Sequence, residues 1–255
     1  MKQIIGRKIG MTQVFASDGT QYAVSVINIL PNVVTRVKSK EKDGYDALVV
    51  GFDSKKESNA NKSEKGIAKK ANLPVAKFLR EVSGNEVEKL NLKVGDKLDA
   101  SLFKAGDVVD VIGTSKGKGY TGTIKRYHHT IGPKGHGSGY HRGVGSFANN
   151  GRCNNRVLPG KKMSGHFGFN QVTIQNLIVV ESNAEKNYIL IKGAVPGCKQ
   201  SLVKIRSAVK TQLGKPETIK NLAVYAKKEE KVEPKAEVKQ EAKVEAKPNE
   251  EKKGE

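Results

Sequence analysis

Between Asp110 and Glu181 lie 70 residues without a single acidic side chain. At the chain's average content, 26 of 255, about seven would be expected there. The same stretch carries 10 Lys and Arg, 14 of the 27 glycines and all five histidines. It also holds Tyr120, Tyr127, Tyr140, Phe147, Phe167 and Phe169. A solvated protein face normally mixes both signs of charge. Loss of one sign over such a length implies a large polyanion lying along the segment. A compact domain seldom carries so long a connection without regular structure unless it is functional or disordered. The aromatics set it apart from a disordered tail, so residues 114–168 are expected to be an extension that orders on its partner. Glycine lets the backbone approach closely, Lys and Arg contact phosphates, and Tyr, Phe, His and Arg stack on unpaired bases.

The rest of the chain bounds the setting. Net charge is +20, and 255 residues suffice for one or two domains. Residues 227–255 hold 9 Lys and 9 Glu, so the whole excess lies in residues 1–226. That tail has no aromatic, Leu or Ile, and cannot bury enough apolar surface to offset its ordering entropy. Like charges at helical spacing (Glu233, Glu237, Glu241, Glu245) oppose a helix, as do Pro234 and Pro248. Residues 214–255 are therefore expected to be a linker and a disordered Lys/Glu/Ala-rich tail. Two lone cysteines, Cys153 and Cys198, make no disulfide framework. With no signal-peptide stretch and no long apolar run, a reduced, cytoplasmic protein with no membrane span is expected.

Short strands dominate the body. Residues 22–30, 32–39 and 45–52 are Val-, Ile- and Thr-rich and separated by turn dipeptides such as Asp43-Gly44. Residues 55–71 look like a loop. Pro74 and the spacing of Val75, Phe78, Leu79 and Val82 predict a helix over 74–82. Strand signals return at 92–103 and 105–113, and 171–182 and 186–195 form a hairpin across 183–185. A last apolar-basic stretch covers 201–210. The class is mainly β, a small barrel or folded sheet.

Catalytic motifs are weak. Gly117-x-Gly119-x-x-Gly122 fits the dinucleotide fingerprint formally, but no acid follows before Glu181 and no βαβ alternation surrounds it. It reads better as a glycine turn meeting a phosphate together with Lys116 and Lys118. The five histidines lack paired metal-ligand spacing and carboxylate partners, so no metal and no cofactor is expected. Asp96, Asp107 and Asp110 sit in turn-like contexts and read as turn residues. The acid-free stretch offers no carboxylate for a hydrolase, so no enzyme and no small-molecule substrate is expected there.

Six stretches occur in order: GRKIGMTQVF (6–15), GYDALVVGF (44–52), GDVVDVIGTSKGKGYTGTIKRYHH (106–129), HGSGYHRGVGS (136–146), GKKMSGHFG (160–168) and KGAVPG (192–197). Together they resemble the bacterial large-subunit ribosomal protein L-three family, over about residues 3–210. The resemblance implies a six-stranded Greek-key β-barrel of the translation-protein type within residues 1–213. A partly helical insertion, about 55–92, and a long basic loop, about 114–168, would leave it. It further implies binding to large-subunit ribosomal RNA, a part in nucleating subunit assembly, neighbouring large-subunit ribosomal proteins as partners, and a loop running toward the peptidyl-transferase centre. The tip departs from the family's usual Gly-Ser-Ile-Gly: here it reads GSFANNGRCNNRVLPGKKM. The methylated glutamine of some members has no counterpart between Gln21 and Gln171.

The candidate rRNA-binding residues follow. Lys116, Lys118, Lys125, Arg126, Lys134, Arg142, Arg152, Arg156, Lys161 and Lys162 are the expected phosphate contacts. Tyr127, His128, His136, Tyr140, His141 and Phe147 are expected to stack on bases or meet their edges. His129, His166, Arg7 and Lys8 complete the set. The tip comprises Ser146, Phe147, Ala148, Asn149, Asn150, Gly151 and Cys153. Two alternatives stay open at this point: a transient assembly or translation factor, and an NAD- or metal-dependent enzyme.

Overall fold

Runs of Val and Ile can bury one face only by pairing, and here six such runs close on each other. The computed structural model describes residues 2–83, 92–147 and 156–210. Strands β1 (Gln3–Phe15), β2 (Gln21–Asn28), β7 (Val108–Thr114), β10 (Gln171–Asn183), β11 (Tyr188–Lys192) and β12 (Leu202–Ser207) form a closed barrel, ordered β1-β12-β7-β10-β11-β2. Every neighbouring pair is antiparallel. β12 crosses over to lie between β1 and β7, which gives the Greek-key order. Closure leaves these strands no free edge. Ile4, Ile27, Val111, Val179, Ile191 and Ile205 are buried inside.

Strands β3 (Asn32–Lys38), β4 (Ala47–Ser54), β5 (Ala76–Ser83) and β6 (Lys97–Leu98) form a second sheet, ordered β5-β4-β3-β6. Its Val34, Leu48, Val50, Val82 and Leu98 belong to the same continuous core as the barrel. One buried carboxylate ties three barrel strands together on the face opposite the Val109 and Val111 side chains. Asp110 on β7 is 1 % exposed and accepts hydrogen bonds from Arg206 Nη2 (3.1 Å) on β12 and from Asn176 N (3.1 Å) at a bulge in β10. A buried charge is tolerable only when paired in this way.

Four expectations are corrected. The helix expected over 74–82 is strand β5, which pairs with β4 through Phe78 opposite Phe52 and Val82 opposite Leu48. Pairing with the free edge of β4 outweighs the helical spacing. The helix lies instead in the stretch read as a loop, as α2 (Lys62–Ala71), after the four-residue α1 (Lys40–Asp43). Its start is set by Glu64, whose carboxylate accepts the Asn61 N–H at 3.0 Å. Its end is set by Asn72 in the left-handed conformation, φ 52°. Of 92–103, only Lys97–Leu98 pairs as strand, followed by a 3-10 turn at Ala100–Leu102. Asp96 and Asp107 are turn residues, accepting the N–H of Lys93 and Lys104, but Asp110 is the buried brace. The expected disordered tail from residue 214 lies outside the described residues.

Candidate nucleic-acid interface

The extension leaves the barrel at the end of β7 and returns at the start of β10, where Thr114 and Gln171 are register partners. Its two arms stay together for several residues. Ser115 N–H donates to Asn170 O at 2.9 Å, Lys118 N–H to Phe167 O at 2.9 Å, and Phe167 N–H to Gly119 O at 2.9 Å. The pair β8 (Tyr120–Thr121) and β9 (Gly165–His166) continues the ribbon. Gly168 is required there: its φ is +77°, and a Cβ would stand 2.2 Å from the Lys116 carbonyl oxygen. Helix α3 (Thr123–Tyr127) follows and ends at His128, left-handed at φ 58°, whose N–H caps the Ile124 carbonyl. The root of the extension therefore has regular structure that the sequence reading did not foresee.

Beyond the ribbon the arms are tied by cations and rings. Arg126 Nη1 donates to Met163 O at 3.0 Å, and its guanidinium lies 5.1 Å from the centre of the Tyr127 ring. Lys162 Nζ lies 5.6 Å from the same ring, and the His129 ring is 6.1 Å away. Tyr127 thus sits among Arg126, Lys162 and His129, an arrangement in which cation–π attraction holds positive charge near an aromatic face. Beside it opens a cleft of about 300 Å³ lined by His129, Val144, Leu158, Pro159, Gly160, Lys161 and Lys162. Lys161 Nζ donates to Ser146 O at 2.8 Å, across the outer part of the loop.

Residues 132–143 form a small knot around Tyr140. Gly132 N–H donates to His141 O at 2.9 Å, and the Tyr140 hydroxyl donates to Gly143 O at 2.7 Å. A Cβ on Gly132 or on Gly143 would stand 2.3 Å from Tyr140 atoms, so the ring seats against both glycines. His141 Nδ1 lies 2.9 Å from Pro133 O. A carbonyl only accepts, so Nδ1 carries the proton. Tyr140 and His141, expected to meet bases, also hold the loop's own shape.

Lys116, Lys118, Lys125, Lys134, Arg142, Arg156 and Lys162 are exposed, as are His128, His136, His141, His166, Ser146 and Phe147. Arg126, Tyr127, His129 and Lys161 are half-buried. Arg152, Ala148, Asn149, Asn150, Gly151 and Cys153 lie outside the described residues. No carboxylate sits within 111–180, whereas the ion pairs Lys38–Glu81, Lys55–Glu64 and Arg206–Asp110 all lie outside the extension. Among the described residues no three His, Cys, Asp or Glu side chains gather as a metal site.

Arg7 and Lys8 sit elsewhere, with their charges engaged. Arg7 Nη2 pairs with Asp53 at 2.7 Å, and its guanidinium lies 5.6 Å from the Phe78 ring centre, clasping β1 to the second sheet. Lys8 is buried, and its Nζ donates to Val195 O at 2.6 Å. Burial pushes its pKa below the usual lysine value, and the charge of Lys116 pushes the same way.

Comparison with known proteins decides the family. The model of the Ribosomal protein L3 family matches residues 64–186, a span that includes the whole extension. The large ribosomal subunit protein uL3 of Oceanobacillus iheyensis is 50 % identical over 209 residues, 82 % of this chain and 98 % of that protein. The chain belongs to the uL3 family. The uL3 protein of Halalkalibacterium halodurans is 47 % identical over 212 residues, 83 % of this chain and 99 % of its own. That of Spiroplasma kunkelii is 48 % identical over 210 residues, 82 % and 79 % respectively. Tyr120 and Phe169 lie outside the candidate set. Both were visible as aromatics of an acid-free stretch, but only the structure shows how far they stand into solvent.

Proposed function

We propose that this chain binds large-subunit ribosomal RNA directly, with the barrel as platform and residues 114–168 as the arm that supplies most of the affinity. As a uL3 protein it is a structural constituent of the large ribosomal subunit, ribosome-bound in the cytoplasm, and not an enzyme. The carrying observation is the exposed array of cations on a loop whose own sequence holds no counter-charge. Such groups are satisfied by phosphates, with release of condensed counterions. The Tyr127 cluster and the neighbouring cleft suit a base that has left its stack. In the same reading the protein joins the RNA early in assembly, the tip reaches toward the peptidyl-transferase centre, and other large-subunit proteins are its neighbours.

The test removes the arm without touching the barrel. The ends to be joined are already adjacent, since Ser115 N–H bonds Asn170 O. Replacing 116–169 by an Asn-Gly turn should therefore leave a barrel that folds cooperatively. Binding of the intact chain to transcribed large-subunit rRNA should show a slope of log K against log salt of about −4 to −5, for about six phosphate contacts. The shortened chain should lose that slope and the stable complex. Equal binding by both chains would defeat this division of labour.

A further inference from the structure

Tyr120 and Phe169 are the most exposed large apolar side chains among the described residues, at 78 % and 73 %. Tyr120 stands on the root ribbon, and Phe169 follows its returning arm. The fold asks little of either ring: the Tyr120 hydroxyl lies 3.2 Å from Ser164 Oγ, an exposed contact that leaves the side chain 78 % exposed. Tyr120 pairs through its backbone with His166, and any strand-forming residue would do so. Phe169 has φ 57°, directly after Gly168 at φ 77°. In that left-handed region a side chain's Cβ crowds the following carbonyl, so a glycine or asparagine would serve the turn at lower cost. The chain thus carries an aromatic ring where the backbone disfavours one, and leaves it in water.

The surroundings indicate what covers these rings. Lys116 and Lys118 are exposed on the same ribbon, Lys118 Nζ lies 4.6 Å from the Phe167 ring centre, and His166 faces Tyr120 across the strands. An apolar protein surface docking here would strip water from these ammonium groups without pairing them, which is costly. Nucleic acid supplies both missing partners at once, a phosphate for each lysine and a flat base for each ring. We propose that Tyr120 and Phe169 are stacking sites for unpaired bases of the ribosomal RNA at the root of the extension. This rests on the RNA-binding reading of the extension and adds to it two contact residues and their mode of contact.

The experiment is equilibrium binding of the full chain to transcribed large-subunit rRNA across a salt series, for wild type, Y120A, F169G, Y120F, F169Y and K116A. Loss of a stacked base predicts weakening by about 5- to 100-fold for Y120A and F169G, with an unchanged salt slope. Y120F and F169Y keep the ring and should bind as wild type. K116A should instead make the slope shallower by about 0.7–0.9. F169G relieves the left-handed backbone, so it should melt no lower than wild type, which separates lost stacking from misfolding. Ultraviolet crosslinking should leave nucleotide adducts on the peptides bearing Tyr120 and Phe169. Wild-type affinity in Y120A and F169G would overturn the proposal. If those variants also failed to enter subunits reconstituted with the other proteins, a neighbouring protein would be the occupant. Failure of wild type itself to bind the RNA would instead overturn the RNA-binding reading on which the proposal stands.

Discussion

The barrel and the extension belong to one chain but solve the same physical problem in opposite ways. In the barrel each strand is paired on both sides, the apolar side chains fill a common core, and the buried Asp110 meets donors from β10 and β12. Its buried carboxylate is satisfied internally. In the extension short ties hold a shape, such as Arg126 to Met163 and Tyr140 to Gly143, while the cations face outward with no acid among them. The extension's own sequence supplies no carboxylate to balance them. In the proposed reading, recognition belongs to the region that holds no counter-charge of its own, and the barrel gives that region a fixed point of departure.

The largest effect that could break this contrast is a crossed pair of substitutions. Ile191→Ala removes a fully buried side chain from the barrel core. It should cost about 3–4 kcal/mol in urea unfolding, yet leave the salt slope of rRNA binding unchanged. Lys125→Ala should do the reverse. Its side chain is exposed on α3, so stability should stay within about 0.5 kcal/mol, while the slope becomes shallower by about 0.7–0.9. A Lys125 variant that unfolded easily would mean that the extension supports the barrel, and the two regions would no longer be separable.

The same contrast explains what the sequence disclosed. The barrel strands were legible because Val and Ile runs bounded by turn residues have few other ways to be buried. The extension was legible because a missing charge type needs no geometry to be noticed. Where both signals were weak, local patterns misled. The spacing of Val75, Phe78, Leu79 and Val82 fits a helix, but β4 offered an edge that only tertiary structure reveals. Asn61 and Glu64 carried a capping signal over a Lys-rich stretch that composition alone marked as loop. Arg7 and Lys8, expected among the RNA contacts, also have partners within the protein that the sequence does not disclose. Their roles as a clasp to Asp53 and as a buried donor to the Val195 carbonyl depend on partners far away in sequence. Tyr140 could be read as an exposed aromatic, but not as a ring seated against Gly132 and Gly143.

A smaller effect would sharpen the description of the extension as locally shaped. Gly143→Ala places a Cβ 2.3 Å from Tyr140 Cε2, so the ring must move and its hydroxyl bond to Gly143 O is lost. Overpacking of this kind costs about 1–3 kcal/mol, but here the strain falls on a knot outside the barrel core. The expected outcome is about tenfold weaker rRNA binding with an unchanged melting temperature. Hydrogen exchange should be faster at Gly132, whose N–H is bonded to His141 O. Unaltered affinity would mean that the knot's shape is imposed by the RNA and not prepared beforehand.

The smallest effect lies wholly within the barrel and appears only at high pH. Tyr188 is the β11 residue opposite Asn183, and its hydroxyl donates to Glu181 Oε1 at 2.6 Å. That bond to a carboxylate, then burial, then the Glu181 charge raise its pKa from 10.0 to about 12. The folded state therefore holds this proton more tightly than the unfolded chain. The stabilisation is complete below the unfolded value of 10.0 and is lost as pH rises through the folded value of about 12. Lysines titrate over the same range, but they are common to wild type and Tyr188→Phe and cancel in the difference. The stability gap between the two proteins, followed by thermal melting, should be flat up to about pH 10 and shrink between 10 and 12. Binding of rRNA at neutral pH should not distinguish them, because the Tyr188 proton is satisfied inside the barrel. A pH-independent gap would mean that Glu181 is not the hydroxyl's acceptor, and that this part of the barrel is satisfied by solvent and not from within the fold.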